Sequence, residues 1–129
     1  MLTKDLNTLL KEANDIVKRL SYEESNLLIE NHKTVIIDVR EESEVYSQGI
    51  IKNAIHIPRG LIEFQLKPDS DKNPVSIDSE TNILVYCAGG YRSALAAKSL
   101  IDLGFKNVYN LGGFQEWVCL LYTSPSPRD

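Results

Sequence analysis

Apolar residues recur at steps of three and four over the first twenty residues of the chain. They are Leu6, Leu9, Leu10, Ala13, Ile16, Val17 and Leu20. This spacing places them on one face of an α-helix, so residues 1–20 are predicted to form an amphipathic helix. We expect its apolar face to be covered, either by the rest of the domain or by a partner chain.

The remainder of the chain alternates short apolar runs with helical patterns. Ser21 and Glu24 have the spacing of a capping box, which predicts a second helix through Ile29. Strands are predicted at 34–40, 53–58, 83–86 and 108–111, and further helices at 43–48 and 93–103. The polar segment 65–82 is predicted to be a long exposed connection. Strands that alternate with helices indicate an α/β domain with a mostly parallel sheet.

The charge balance excludes several classes of partner. Lys and Arg number 14 against 18 Asp and Glu, for a net charge of −4, so we expect binding neither to nucleic acid nor to a membrane. The first residues interleave charges with leucines, and no apolar run approaches the length of a bilayer span. The 129 residues suit one globular domain, which we expect to be cytoplasmic.

Cysteine usage points to a reduced thiol. The only cysteines, Cys87 and Cys119, lie far apart and outside the spacings of a zinc site. A disulfide scaffold is not indicated either, because such scaffolds are dense in cysteine. We therefore expect no metal, and we regard Cys119 as a poor candidate for a second reactive thiol.

Cys87 stands where a predicted strand meets a predicted helix, in "ILVYCAGGYRSALAAKSL" at residues 83–100. Loops at the carboxyl ends of parallel strands present backbone N–H groups, and Gly89 and Gly90 allow those groups to converge on an anion. Arg92 lies at the N-terminus of the predicted helix, where a cation is unfavourable unless an anion lies nearby. Because helix N-termini and nearby cations lower the pKa of a cysteine, Cys87 is predicted to be a nucleophile.

Each of these residues also has a purely structural explanation. A buried cysteine can serve as a small apolar residue, and a glycine pair can simply form a turn. Arg92 can fix the loop by bonding carbonyl groups, and Tyr91 can cover the surface. Asp38 and Arg40 are explained equally well by an ion pair or by a cap for the next helix. His56 is predicted to be a hydrogen-bonded structural residue rather than a base.

Three motifs resemble those of the single-domain rhodanese sulfurtransferases. The segment "IDVREESEVYSQGIIKNAIHIP" is similar to the family's opening segment, "YCAGGYRSALAAKSLIDLGF" to its active loop, and "NLGGFQEW" to its closing motif. The resemblance covers residues 21–117. It implies a three-layer α/β/α rhodanese-like domain with a mostly parallel five-stranded sheet, and neither a metal nor an organic cofactor.

The resemblance also implies a reaction. Cys87 would accept a sulfane sulfur from thiosulfate or a persulfide donor and carry it as a persulfide. It would then pass the sulfur to a thiophilic acceptor, which can be cyanide, a thiol or a protein. The residues that would hold the anionic sulfur and the donor are Ala88, Gly89, Gly90, Tyr91, Arg92 and Ser93.

The chain departs from the family pattern at a few positions. Ile50 stands where the family usually has histidine, and Asn53 stands where glycine is common. After Trp117 the chain continues as "VCLLYTSPSPRD", whose Ser-Pro pairs cannot build a helix or a core layer. We therefore divide the chain into a helical extension at 1–20, the domain at 21–118, and a tail at 119–129 that is either disordered or an artefact of sequence assembly.

Two classes of function remain open at this point. As an enzyme, the chain would be a sulfurtransferase, and its intact cysteine and arginine loop favours this hypothesis. As a binding module, it would dock a partner or report redox state, with sulfur transfer incidental. Phosphatase or arsenate reductase chemistry is a further alternative, because those enzymes also place a cysteine and an arginine at the start of a helix.

Overall fold

The computed structural model of the chain describes residues 4–31, 33–67, 77–78 and 80–117. Within them, the helices are α1 (Leu6–Ile16), α2 (Tyr22–Ile29), α3 (Glu42–Gln48), α4 (Ile62–Gln65) and α5 (Tyr91–Asp102), and residues 114–117 at the end of the last described range are helical as well. The strands are β1 (Lys18–Arg19), β2 (Thr34–Asp38), β3 (Ile55–His56), β4 (Asn82–Cys87) and β5 (Val108–Gly113). A 3₁₀ turn covers Arg59–Leu61. Among the described residues, no helix is both long enough and apolar enough to cross a membrane.

The strands form one sheet in the order β1-β5-β4-β2-β3, and every pairing is parallel. Helices α1, α4 and α5 cover one face of the sheet, and α2 covers the other. In the central strand β4, Val85 and Cys87 face the α5 side, whereas Leu84 and Tyr86 face the α2 side. Burial on both faces explains why this strand is a continuous apolar run. The predicted α/β architecture with a parallel sheet is confirmed.

The prediction of one helix through Leu20 is wrong, because α1 ends at Ile16. Val17 turns into extended backbone, and Lys18 and Arg19 pair with β5 as the edge strand β1. Val17 belongs to the core on the α5 side, while Leu20 belongs to the core on the α2 side. A single helix could not place both residues on opposite faces of the sheet.

The apolar stripe of α1 is covered only in part. The helix packs against α5, and Ala13 is fully buried there. Leu6 and Ile16 remain 62% and 52% exposed. Leu9, in the middle of the helix, is also 41% exposed. The domain therefore covers this face only around Ala13, and coverage of the rest by a partner chain stays a prediction.

The strand predicted at 53–58 is shorter, because β3 contains only Ile55 and His56. Asn53 precedes it in a left-handed conformation, with φ 68°. Asparagine is among the few residues that tolerate this region, which accounts for its place where the resembling family commonly has glycine. Pro58 ends the extended segment and leads into the 3₁₀ turn.

Other boundaries shift by small amounts. Helix α5 begins at Tyr91, two residues before the predicted start, and β5 extends to Gly113. The predicted connection at 65–82 lies outside the described residues at 68–76 and 79, and the predicted tail at 119–129 lies wholly outside them.

A β-bulge shapes the end of β5. Val85 pairs with Asn110, but the next residue of β4, Tyr86, pairs with Gly112, so Leu111 is the extra residue. Gly112 takes φ 94°, a conformation that favours glycine. The bulge brings Gly113 alongside Cys87 at the carboxyl edge of the sheet.

Asp38 and Arg40 form a buried ion pair, with both side chains 0% exposed. Arg40 donates to both carboxylate oxygens of Asp38 and to the carbonyl of Gly49. Its guanidinium also lies 4.1 Å from the centre of the Phe114 ring. The ion-pair hypothesis is therefore confirmed. The alternative of a helix cap is wrong, because Glu41 occupies the N-cap of α3.

Asp38→Ala should lower the free energy of unfolding by about 3–5 kcal/mol, because it leaves the Arg40 charge buried without its carboxylate. Urea unfolding followed by circular dichroism measures the change. Lys11→Ala is the control, since it breaks an exposed ion pair with Asp15 and should leave the unfolding midpoint nearly unchanged. Equal midpoints for the parent and Asp38→Ala would contradict the structural role of the pair.

Candidate active site

Cys87 ends β4 with its side chain directed at the start of α5. Its Sγ lies 3.0 Å from the backbone N of Gly90 and 3.4 Å from that of Ser93, and both N–H groups donate to it. The residue is 1% exposed. A buried sulfur at the N-terminus of a twelve-residue helix is placed where backbone dipoles favour negative charge.

The loop conformation depends on two close approaches. Gly90 is the N-cap of α5 and takes φ 91°, which turns its N–H toward the sulfur. Gly113, beside Cys87 on β5, packs so tightly on the loop that a Cβ there would lie 2.5 Å from the Ala88 carbonyl oxygen. Larger residues at these positions would push the loop away from Cys87.

The environment of Cys87 favours its thiolate. Burial raises the pKa of the thiol, but hydrogen bonds oppose this effect. They come from the hydroxyl and N–H of Ser93 and from the N–H groups of Gly90 and Gly89, and together they hold the pKa below its ordinary value. Within the loop predicted from the sequence, the N–H groups of Gly90 and Ser93 thus converge on Cys87 Sγ.

Arg92 does not face an open anion site in this structure. Its two terminal nitrogens donate to the two carboxylate oxygens of Glu44 on α3, at 2.7 and 2.8 Å. The hydrogen bond from Arg92 holds the pKa of Glu44 at about 2, and the carboxylate in turn raises the pKa of Arg92. Glu44 also accepts the N–H of Glu41 at the start of α3. The partner of Arg92 is therefore a carboxylate, not the carbonyl groups that we considered as an alternative.

Other predicted loop residues play different parts. Tyr91 is 67% exposed, and its ring lies over Gly89 at the outer side of the loop. Ser93 is fully buried, and its hydroxyl lies 3.4 Å from Cys87 Sγ. Ser93 therefore meets the sulfur directly, whereas Tyr91 lies at the surface. Binding of a donor by this loop remains a prediction.

Asn110 is a site residue that the sequence analysis missed. It lies on β5, is 2% exposed, and bonds to Ser93, Gly90 and Gly112. The available signal was a polar residue inside the apolar strand pattern "VYNL". A buried amide in such a run needs hydrogen-bond partners, and here the active loop supplies two of them.

Arg19 is a second missed residue. Its guanidinium, extending from β1, packs against Gly112, where any side chain would collide with it, and lies near Gly90. Arg19 donates to Glu116 at 2.6 Å, and Glu116 also accepts the N–H of Gly113. No sequence pattern marks Arg19, because it reaches the loop only through the pairing of β1 with β5.

Neither histidine nor a metal-binding cluster takes part in the site around Cys87 among the described residues. His56 Nε2 lies 2.7 Å from the Arg40 carbonyl oxygen, which confirms a hydrogen-bonded histidine. Within the part of the chain that the structure describes, no group of His, Cys, Asp or Glu side chains is arranged to hold a metal ion.

Comparison with known proteins identifies the family. The sequence model of the Rhodanese-like domain matches residues 21–119. The chain belongs to the rhodanese-like domain family. This rhodanese-like chain is 37% identical over 102 residues to thiosulfate sulfurtransferase GlpE of Coxiella burnetii, covering 78% of the chain and 86% of that protein.

Two further relatives carry different names. The tRNA uridine(34) hydroxylase of Yersinia pestis is 35% identical over 94 residues, or 73% of this chain. The rhodanese-like chain matches only 26% of that relative's length. A solved structure from Rhodopseudomonas palustris, described as a protein of unknown function and possible tyrosine phosphatase, is 32% identical with a TM-score of 0.82, covering 98% of this chain and 96% of that one.

The Arg92–Glu44 pair predicts a specific dependence of stability on pH. Because the pKa of Glu44 is about 2 in the folded chain against 4.5 ordinarily, its stabilising effect is present above pH 4.5 and is lost as the pH falls toward 2. Glu44→Gln should therefore lower the free energy of unfolding at pH 7, and the difference from the parent should shrink toward pH 2. Urea unfolding at a series of pH values measures it.

The matched control is Asp15→Asn, which removes the carboxylate of an exposed pair with Lys11. It should change the unfolding midpoint little at any pH. A constant difference between parent and Glu44→Gln down to pH 2 would show that Arg92 and Glu44 are not paired in solution.

Proposed function

We propose that this rhodanese-like protein is a sulfurtransferase that moves a sulfane sulfur from thiosulfate or a persulfide donor to a thiophilic acceptor through a Cys87 persulfide. The observation that carries the proposal is the position of Cys87 Sγ, buried at the start of α5 and bonded by the N–H groups of Gly90 and Ser93. These donors stabilise a sulfur anion without a metal or a cofactor.

The first half of the proposed reaction consumes the donor. The Cys87 thiolate attacks the outer sulfur of thiosulfate, a new S–S bond forms, and the bond to the sulfonate sulfur breaks. The electron pair of that bond leaves with sulfite, which is a stable anion and needs no proton. The amides of the loop from Ala88 to Ser93 would hold the persulfide that remains.

The second half regenerates the thiolate. A nucleophilic acceptor, such as cyanide or a thiolate, attacks the outer sulfur of the persulfide. The S–S bond breaks, its electron pair stays on Cys87, and thiocyanate or a new persulfide departs. An acceptor can be a small molecule or a protein cysteine, and the proposed setting for this exchange is the cytoplasm.

Arg92 would bind the anionic end of the donor. Because Glu44 holds both of its terminal nitrogens, the donor must share the guanidinium with Glu44 or displace it. An arginine fork suits a sulfonate as well as a carboxylate, since both present two oxygens in one plane. The pair therefore keeps Arg92 oriented beside the loop before a donor arrives.

Phosphatase chemistry fits the site less well, although one solved relative is described as a possible tyrosine phosphatase. Four residues separate Cys87 from Arg92, one fewer than in phosphatases with a cysteinyl-phosphate intermediate. The shorter loop leaves less room for a phosphoryl group. A phosphatase also needs a general acid for the departing alkoxide, and the carboxylate bonded to Arg92, that of Glu44, has its pKa held at about 2.

A noncatalytic binding module is the remaining alternative. It would keep the fold and would have no need of a buried, hydrogen-bonded thiol at the loop. The part matched in the tRNA hydroxylases is a quarter of those proteins, so their activity is not assigned to this chain.

Cys87→Ser should abolish sulfur transfer from thiosulfate to cyanide, because the hydroxyl is too weak a nucleophile to displace sulfite. Thiocyanate formation measures the activity, and intact-protein mass spectrometry after incubation with thiosulfate should show one added sulfur on Cys87. Cys119→Ser is the matched control and should retain nearly full activity. Equal loss in both variants, or phosphate-ester hydrolysis that depends on Cys87, would overturn the proposal.

Arg92→Gln should lower kcat/KM for thiosulfate about tenfold or more, because it removes a charge-assisted contact to the donor. Arg92→Lys should retain part of the activity, since it keeps the positive charge. Steady-state kinetics with thiosulfate as the varied substrate measures both. Parent-like kinetics in the two variants would limit Arg92 to holding α3 against the loop.

A further inference from the structure

The orientation of the Asn110 amide is fixed by the backbone. Its oxygen accepts the N–H of Gly112 at 2.8 Å, and its nitrogen donates to the carbonyl of Gly90 at 3.1 Å. An N–H can only donate and a carbonyl can only accept, so the amide cannot be reversed. Asn110 Oδ1 therefore faces Ser93 as an acceptor.

The Ser93 hydroxyl must then donate its proton to Asn110. The two oxygens lie 2.8 Å apart, and Asn110 Oδ1 has no proton to give. Ser93 consequently presents lone pairs to Cys87, and the neutral thiol donates its S–H to Ser93 Oγ at 3.4 Å. In this state a chain of bonds runs from Cys87 through Ser93 to Asn110.

Ionisation of Cys87 changes what the sulfur requires. The thiolate has no proton to donate and needs donors, but the hydroxyl of Ser93 carries only one proton. Ser93 can stabilise the thiolate only by turning that proton away from Asn110. Asn110 would keep its bond to Gly112, so the exchange exposes no unpaired backbone group.

We propose that Asn110 is a positioning residue for the nucleophile: its side-chain oxygen competes with Cys87 Sγ for the single proton of Ser93 and so sets how readily Cys87 becomes a thiolate. The competition deepens the sulfurtransferase function proposed above, on which its biological relevance rests. Asn110 makes no direct hydrogen bond to Cys87 Sγ, whose described partners are Gly90 and Ser93. It acts through Ser93 and through the carbonyl of Gly90 that it holds.

The charged groups around Cys87 are already paired. On the α5 side, Arg92 is bonded to Glu44, with Glu41 next to it at the start of α3. At the edge formed by β1 and β5, Arg19 is bonded to Glu116. On the opposite face of the sheet, Asp38 is bonded to Arg40.

These charges are paired with one another. Whether the Ser93 hydroxyl directs its proton at Asn110 or at Cys87 therefore directly changes the electrostatic environment of the sulfur. No other hydroxyl bonds to Cys87 among the described residues.

The test measures the pH dependence of Cys87 alkylation by iodoacetamide, with Cys119→Ser as the background so that one cysteine reacts. Asn110→Asp supplies a charged acceptor that holds the Ser93 proton more strongly, and it should raise the pH midpoint of alkylation by about one unit. Ser93→Ala should also raise the midpoint. In the Ser93→Ala background, Asn110→Asp should shift the midpoint less than half as far, because the shared proton is gone.

Asn82→Asp is the matched control. It makes the same change of charge at the opposite end of β4, and it should leave the midpoint unchanged. A shift by Asn110→Asp that is equally large with and without Ser93 would show an effect of charge alone and would overturn the proposal.

A second variant keeps the test decisive if Asn110→Asp does not fold. Asn110→Ala removes the competing acceptor, so the alkylation midpoint should fall below that of the parent. A midpoint that is unchanged or raised would overturn the proposal. Alkylation does not require sulfur transfer, so absence of a persulfide on the parent with these shifts intact would refute the proposed function and leave the role of Asn110 standing.

Discussion

One constraint governs this structure: a buried sulfur can carry negative charge only where polar hydrogens converge on it. Cys87 meets the constraint because β4 ends where α5 begins, so that the N–H groups of Gly90 and Ser93 reach its Sγ. The loop between these elements must be tightly curved, and it stays so because β5 lies against it. Gly113 allows the close contact, and Asn110 holds the Gly90 carbonyl.

Electrostatic balance around the site follows from the same arrangement. Three described arginines near the carboxyl edge of the sheet are each paired with a carboxylate: Arg92 with Glu44, Arg19 with Glu116, and Arg40 with Asp38. Backbone dipoles and the Ser93 hydroxyl, rather than an unpaired cation, therefore favour the thiolate of Cys87. Two of these pairs also join separate elements of the fold.

Proteins that resemble this chain are named for several different activities. Relatives of similar identity are named as a thiosulfate sulfurtransferase, a tRNA hydroxylase and a possible tyrosine phosphatase. A shared fold does not decide among such activities. The length of the loop from Cys87 to Arg92 and the donors inside it are the features that favour sulfur over phosphate.

The sequence alone determined the α/β class, the four strands β2 to β5 and the loop around Cys87, because local periodicity and short motifs encode them. It could not reveal β1, since two residues show no period and their conformation depends on pairing with β5. It left the partner of Arg92 open because Glu44 lies 48 positions away. The bonds of Asn110 were hidden for the same physical reason: only the order of strands in the folded sheet brings β5 against the start of α5.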